Sequence, residues 1–266
     1  MKYIDLQTSF ELEIAKFDDA LNKPMTDDIE YWLNIGLDKF VKTRYSGLNY
    51  KGEAFEQSQK RIDDLRTLLV RIVYQYPVDN IYNFQYTFRY HTTITQEEIN
   101  AGNYLTVTKA FNEDKYIATL PEDYMFAIGE DTYIASANID WPKIETGLPK
   151  PIHTSVIECT NDNITEKLNN SLSEHKLHRN YARPLRLYVN NTIVLHTDNN
   201  YVIDGFALTY LKYPTKINIH ANPFNEYIDM PVHTHIEIVK LAAQAYLENQ
   251  ANQRYNSYSN EINTME

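Results

Sequence analysis

Apolar positions recur at helical intervals near the start of the chain, give way to two-residue alternation in the middle, and return to helical spacing towards the end. Residues 9–21 place Phe10, Ile14, Phe17 and Leu21 on one side of an amphipathic helix, with Glu11 and Glu13 opposite Lys16. After Pro24, Thr26 is suited to cap a second helix. Ile29, Tyr31, Trp32, Ile35, Leu37, Phe40 and Val41 supply its apolar face, and Asp27, Asp28 and Glu30 favour its positive end. Gly36 weakens that helix but lets another approach closely. A linker over 45–52 leads to a third helix over 54–73, with Phe55, Ile62, Leu65, Leu68, Leu69 and Ile72 inward and Lys60, Arg61, Asp63, Asp64, Arg66 and Arg71 outward.

From Pro77 onward the pattern is β. Residues 81–90 alternate over two-residue steps, and further strands are expected at 104–108, 125–128, 132–137 and 151–158. Residues 120–124 read as a turn or short helical approach to a strand, and 141–151, with three prolines, as a loop or arm. Ile164, Leu168 and Leu172 predict a short surface helix within 161–177. The clearest unit is 185–196, a strand, an Asn190-Asn191 turn and a returning strand, because two-residue turns with positive φ favour Asn. A strand over 201–211 follows, with Gly205 at a bulge, then a short strand over 216–219. Pro231 or Thr234 opens a final helix whose apolar side is Ile236, Val239, Leu241, Ala243, Tyr246 and Leu247. The predicted fold class is therefore α+β, with 1–76 and 223–247 forming a helical bundle, 77–222 an inserted antiparallel β-rich domain, and 248–266 a polar arm too poor in apolar side chains to fold alone.

Composition narrows the function. The chain has 22 Tyr against 7 Gly, and Tyr suits partly wet interfaces by joining a rigid apolar body to a polar tip. The net charge of -11 with scattered Lys and Arg disfavours direct nucleic-acid binding, which draws on a basic stripe, although an acidic surface lets DNA slide past without sticking. The single cysteine, Cys159, forms no intrachain disulfide and reads as a small buried hydrophobe. Neither an apolar leader nor an uninterrupted apolar run of membrane-spanning length is present, so neither general secretion nor a membrane span is expected.

Catalytic chemistry finds little material. His233 and His235, with Glu237 and Asp229, make the densest group of metal-capable residues, but i,i+2 spacing does not put both rings on one helical face. His175 and His178 could share a face without a third ligand nearby. No glycine-rich phosphate loop, Gly-x-Ser-x-Gly elbow or His-Glu-x-x-His signature occurs. The expectation is no metal, no cofactor and no catalytic residues. The charged face of Lys60, Arg61, Asp64, Arg66 and Arg71 has two readings, a solvated helix surface or a charge-matched contact with a neighbouring subunit.

The stretches MTDDIEYWLNIGLDKFV (25–41), FEQSQKRIDDLRTLL (55–69), LPEDY (120–124), 183–216 and IEIVKLAAQAYL (236–247) resemble neck or ring structural proteins of crAss-like tailed bacteriophages. The resemblance implies a non-enzymatic virion component of the head-to-tail connector, assembled in the host cytoplasm. Such proteins form homo-oligomeric rings, commonly with twelve subunits, that dock on the portal protein, abut a neighbouring neck or tail ring and extend the DNA channel. It further implies that Tyr246, Arg254, Tyr255, Tyr258, Ile262 and Met265 dock on the partner, and that Lys60, Arg61, Asp64, Arg66 and Arg71 make inter-subunit contacts. A tail-tube or other tail or capsid subunit is the runner-up, followed by a carbohydrate- or receptor-binding module.

Overall fold

The computed structural model describes residues 1–16, 24–47, 55–75, 106–110, 113–136, 138, 140–145, 149–221 and 223–250. It has an α+β fold with helices at both chain ends and a central, largely antiparallel β region. The helices are α1 (Tyr3–Ala15), α2 (Thr26–Ser46), α3 (Gln59–Leu65), α4 (Ile164–Asn169) and α5 (His235–Asn249). The strands are β1 (Leu69–Gln75), β2 (Thr106–Ala110), β3 (Glu113–Thr119), β4 (Tyr124–Ala135), β5 (Ile152–Ser155), β6 (Ile157–Cys159), β7 (Leu185–Val189), β8 (Thr192–His196) and β9 (Val202–Lys212). The chain divides into two compact units, Met1–Leu69 with the chain from Tyr213 onward, and Val70–Lys212.

In the helical unit, α1 begins at Tyr3, well before the expected start near Ser9. The Asp5 carboxylate accepts the Lys2 backbone N–H at 3.0 Å. The N–H groups of Tyr3 and Ile4, which have no acceptor within the helix, donate to the carbonyls of Asn225 and Pro223 at 3.0 and 2.9 Å. These acceptors lie more than 200 positions away, beyond the reach of a local pattern. Thr26 is the first helical residue of α2 and does not cap it. Met25 occupies the cap position, its N–H donating to the Asp28 carboxylate at 3.3 Å. The helix runs on to Ser46 and ends at Gly47, whose φ of 70° provides the left-handed C-terminal cap.

The close helix approach expected at Gly36 is present. A Cβ there would lie 2.7 Å from the Ala242 nitrogen and 2.8 Å from the Ile238 oxygen, so α2 and α5 meet backbone to backbone. Phe10, Leu33, Leu37, Phe40, Ile238, Val239, Ala242 and Leu247 fill the surrounding core. On α2 Leu33 takes the inward place expected of Tyr31, which is exposed. On α5 His235 is buried and Ile236 is exposed, reversing the expected start of the apolar side.

Two further expectations are corrected. The helix over 54–73 breaks into a 3-10 turn at Phe55–Gln57, α3, a second 3-10 turn at Arg66–Leu68 and then β1. Along β1 Leu69, Arg71 and Val73 are exposed while Val70, Ile72 and Tyr74 turn inward, and its three β-branched residues favour that pleat. The strand over 216–219 is not formed. Side chains of α2 replace the ladder, with Asn34 bonding both the N–H and the carbonyl of Ile217 at 2.9 and 3.0 Å and Glu30 accepting the Ile219 N–H at 2.9 Å.

The β unit holds two sheets, ordered β1-β9-β4-β5 and β2-β3-β8-β7-β6. Tyr74, Ile134, Ile203, Phe206 and Leu208 from the first share one core with Tyr116, Ala118, Ile193 and Leu195 from the second. The hairpin β7–β8 forms as predicted, with Asn190 at φ 54° in its turn. The bulge beside Gly205 is also present, Tyr133 pairing with Gly205 and Ile134 with Ile203 so that Asp204 is extra. The strands expected at 125–128 and 132–137 are one strand, β4, bent by register shifts. Residues 151–158 divide at Val156 between the two sheets as β5 and β6, and β6 pairs in parallel with β7. β3 is a strand without an earlier signal, because Glu113, Asp114 and Lys115 mask the short alternation of Tyr116 and Ala118. The helix within 161–177 is confined to α4. The strand expected at 81–90 lies outside the described residues.

Candidate protein-interaction surface

The five charged positions expected on one outward face do not share it. Arg61 and Asp64 are buried, which corrects their outward assignment. Asp64 meets α2: its Oδ2 lies 3.0 Å from Arg44 Nε, while Oδ1 is 3.0 Å from His233 Nε2. Arg44, itself buried, also pairs with Glu237 of α5 and lies 4.8 Å from the Phe40 ring centre. Lys60 is half-exposed and reaches Glu237 at 3.9 Å, and Arg66 is exposed. Arg71 belongs to the other unit, on β1, 3.6 Å from Asp131. Of the docking residues, Tyr246 is buried, edge-on to Phe10 and Trp32. Arg254, Tyr255, Tyr258, Ile262 and Met265 lie outside the described residues.

Large apolar side chains mark a different surface of the helical unit. Phe224, Ile228, Val232 and Ile236 are 74%, 79%, 70% and 56% exposed within one thirteen-residue stretch. Four large exposed hydrophobes within so short a stretch of chain are denser than singly scattered surface hydrophobes. The stretch is anchored at its base: Tyr227 OH donates to the Thr215 carbonyl at 2.9 Å, and Asp229 accepts the Thr215 N–H at 2.6 Å. Sequence reasoning passed over Phe224, Ile228 and Val232 because Pro223 and Pro231 break up their four-residue spacing and no helix is expected ahead of 231. Apolar residues interspersed with Pro223, Asn225 and Pro231 were the available signal.

The histidines diverge. His233 turns to Asp64, whereas His235 lies between Met1 and the Met230 carbonyl, so the densest histidine group does not converge on one point. His175 is buried, bonds Ser173 Oγ at 2.8 Å, and burial lowers its pKa despite the opposing pull of Asp198. Among the described residues no three metal-capable side chains come together, and no helix is long and apolar enough to cross a membrane. Cys159 is buried, in keeping with its reading as a small hydrophobe.

Inside the β unit, Glu130 accepts from Arg186 Nε and from Tyr188 OH, both at 2.6 Å. Burial opposes the Arg186 charge, but the Glu130 carboxylate outweighs it and raises the pKa. Tyr188 is driven far up by burial and then by the same carboxylate. Both groups thus keep their ordinary charge states, and the cluster serves as a fixed polar strut. On the outer face of the second sheet, Ile117, Leu187, Val194 and Leu168 line a groove of about 500 Å³ beneath α4, with Lys115 and His196 at directly opposed ladder positions.

These features define an α+β protein with an anchored apolar surface on its helical unit. No protein-family model matches the chain, and neither does any curated protein.

Proposed function

We propose that this chain is a non-enzymatic virion structural protein, a subunit of a head-to-tail connector ring that docks on the portal and continues the DNA channel. In this reading the helices of the two chain ends form the ring-building bundle, and the β-rich unit is an insertion facing outward or towards a stacked neighbour. The observation that carries it is the run of exposed Phe224, Ile228, Val232 and Ile236 on the helical unit. A permanent interface with an apolar centre covers such side chains. Closure into a ring requires heterologous contacts, in which this surface meets a different one on the next subunit. The crAss-like resemblance supplies the biological setting, and the net charge of -11 suits a channel wall that does not retain DNA.

Native mass spectrometry and negative-stain imaging of the purified full chain test the proposal. Closed rings are expected. The double substitution Ile228→Glu with Val232→Glu is expected to yield protomers with an unchanged circular dichroism spectrum. Protomers at every concentration for both proteins would contradict ring formation through this surface.

A further inference from the structure

His235 sits where the beginning of the chain is fastened to the stretch ahead of α5. The residue is fully buried, and both ring nitrogens are engaged. Nε2 is 3.0 Å from the Met230 carbonyl oxygen, and Nδ1 is 3.3 Å from the Met1 nitrogen. A carbonyl only accepts and the Met1 amino group donates, so these partners assign the proton to Nε2 and leave Nδ1 as an acceptor. Around the ring the fastening is backbone. Tyr3 and Ile4 donate to Asn225 and Pro223, Tyr227 donates to the Met1 carbonyl at 3.0 Å, and Lys2 bridges Glu226. The Tyr227 ring lies 5.9 Å from both the Tyr3 and His235 rings.

Protonating the imidazole turns Nδ1 into a donor aimed at another donor. The surroundings do not compensate. The Met1 amino group and His233 both oppose a positive ring, and Tyr3 and Tyr227 stay neutral because burial, followed by nearby Asp229, raises their pKa values. Of the carboxylates of this region, Asp229 holds the Thr215 N–H, Asp64 holds Arg44 and His233, Glu237 holds Arg44 and Lys60, Asp38 holds Lys42, and Glu226 is exposed to solvent.

We infer that His235 is the acid-sensitive catch of a latch joining residues 1–4 to 223–227, opened when its ring gains a proton while α2 and α5 stay packed. Burial, then the Met1 amino group, holds the ring's pKa below its ordinary value of 6.5 in the latched state. The open state therefore binds the proton more readily. The latch is at full strength above pH 6.5 and weakens as pH falls from there towards the latched pKa.

Amide exchange on the full chain, corrected for intrinsic rates, reads the latch at Tyr3, Ile4 and Tyr227. Between pH 7.5 and 5.5 their protection is expected to fall by up to about tenfold, while Ala242 and Ala243 are unaffected. His235→Gln, which cannot titrate, is expected to remove the pH dependence. A flat profile in the unsubstituted protein, or an undiminished fall in His235→Gln, overturns the inference. If the variant does not fold, nitrogen-15 titration of the wild-type ring decides. A His235 midpoint that coincides with the loss of protection supports the latch, and a separate midpoint refutes it.

Discussion

Arg44 lies in the core between Asp64, Glu237 and the Phe40 ring. Breaking such a buried pair from one side leaves a charge with neither water nor its former partner. Asp64→Asn is therefore expected to cost about 3–5 kcal/mol in urea unfolding, whereas exposed Arg66→Gln is expected to stay within about 0.5 kcal/mol. Equal effects would show that Asp64 is not the internal counter-charge. At this scale the sequence misled for a physical reason. Lys60, Arg61, Asp63 and Asp64 are spaced for local helical pairs, yet the partners of Asp64 are Arg44 and His233, which only tertiary packing brings near. Cys159 was legible, because a small thiol in an apolar strand segment needs no partner to be buried.

Among elements, α2 and the β7–β8 hairpin were readable because their determinants are local: acidic residues in the first turn, and Asn190 where the turn needs a positive φ. The α2–α5 crossing was readable in part, since Gly36 announced a close approach without naming Ala242 as the neighbour. Gly36→Ala would press a methyl group onto backbone atoms at 2.7 and 2.8 Å, which neither helix can yield without separating. The expected loss is about 1–3 kcal/mol, checked by denaturant unfolding, and an unchanged midpoint would mean that the helices part freely. Elsewhere the elements rest on distant groups. The 216–219 stretch has strand-like residues but obtains its hydrogen bonds from Asn34 and Glu30, and α1 gains its first turns from Pro223 and Asn225 acceptors. β1 was lost to helix because Leu65, Leu68, Leu69 and Ile72 also fit a helical face, and the alternation that reveals the strand begins only where the sheet supplies a partner.

For the whole molecule, both units carry their own buried cores, and the helical unit draws its core from both chain ends. Within this unit, residues beside the exposed apolar side chains of 223–236 are bonded back to 1–4 and 215. The sequence left the charged face of the third helix as either solvated surface or a contact with a neighbouring subunit. Folding withdraws Arg61 and Asp64 from it and presents Phe224, Ile228, Val232 and Ile236 elsewhere. The connector proposal consequently rests on these exposed apolar side chains, while Arg44, Asp64 and Glu237 pair with one another inside the helical unit. A reconstruction of the head-to-tail junction in intact particles tests this most directly. The account predicts a closed ring of this chain above the tail, with Phe224, Ile228, Val232 and Ile236 covered by the adjacent subunit. Absence of the chain from the junction, or a ring in which those four side chains face solvent, would contradict it.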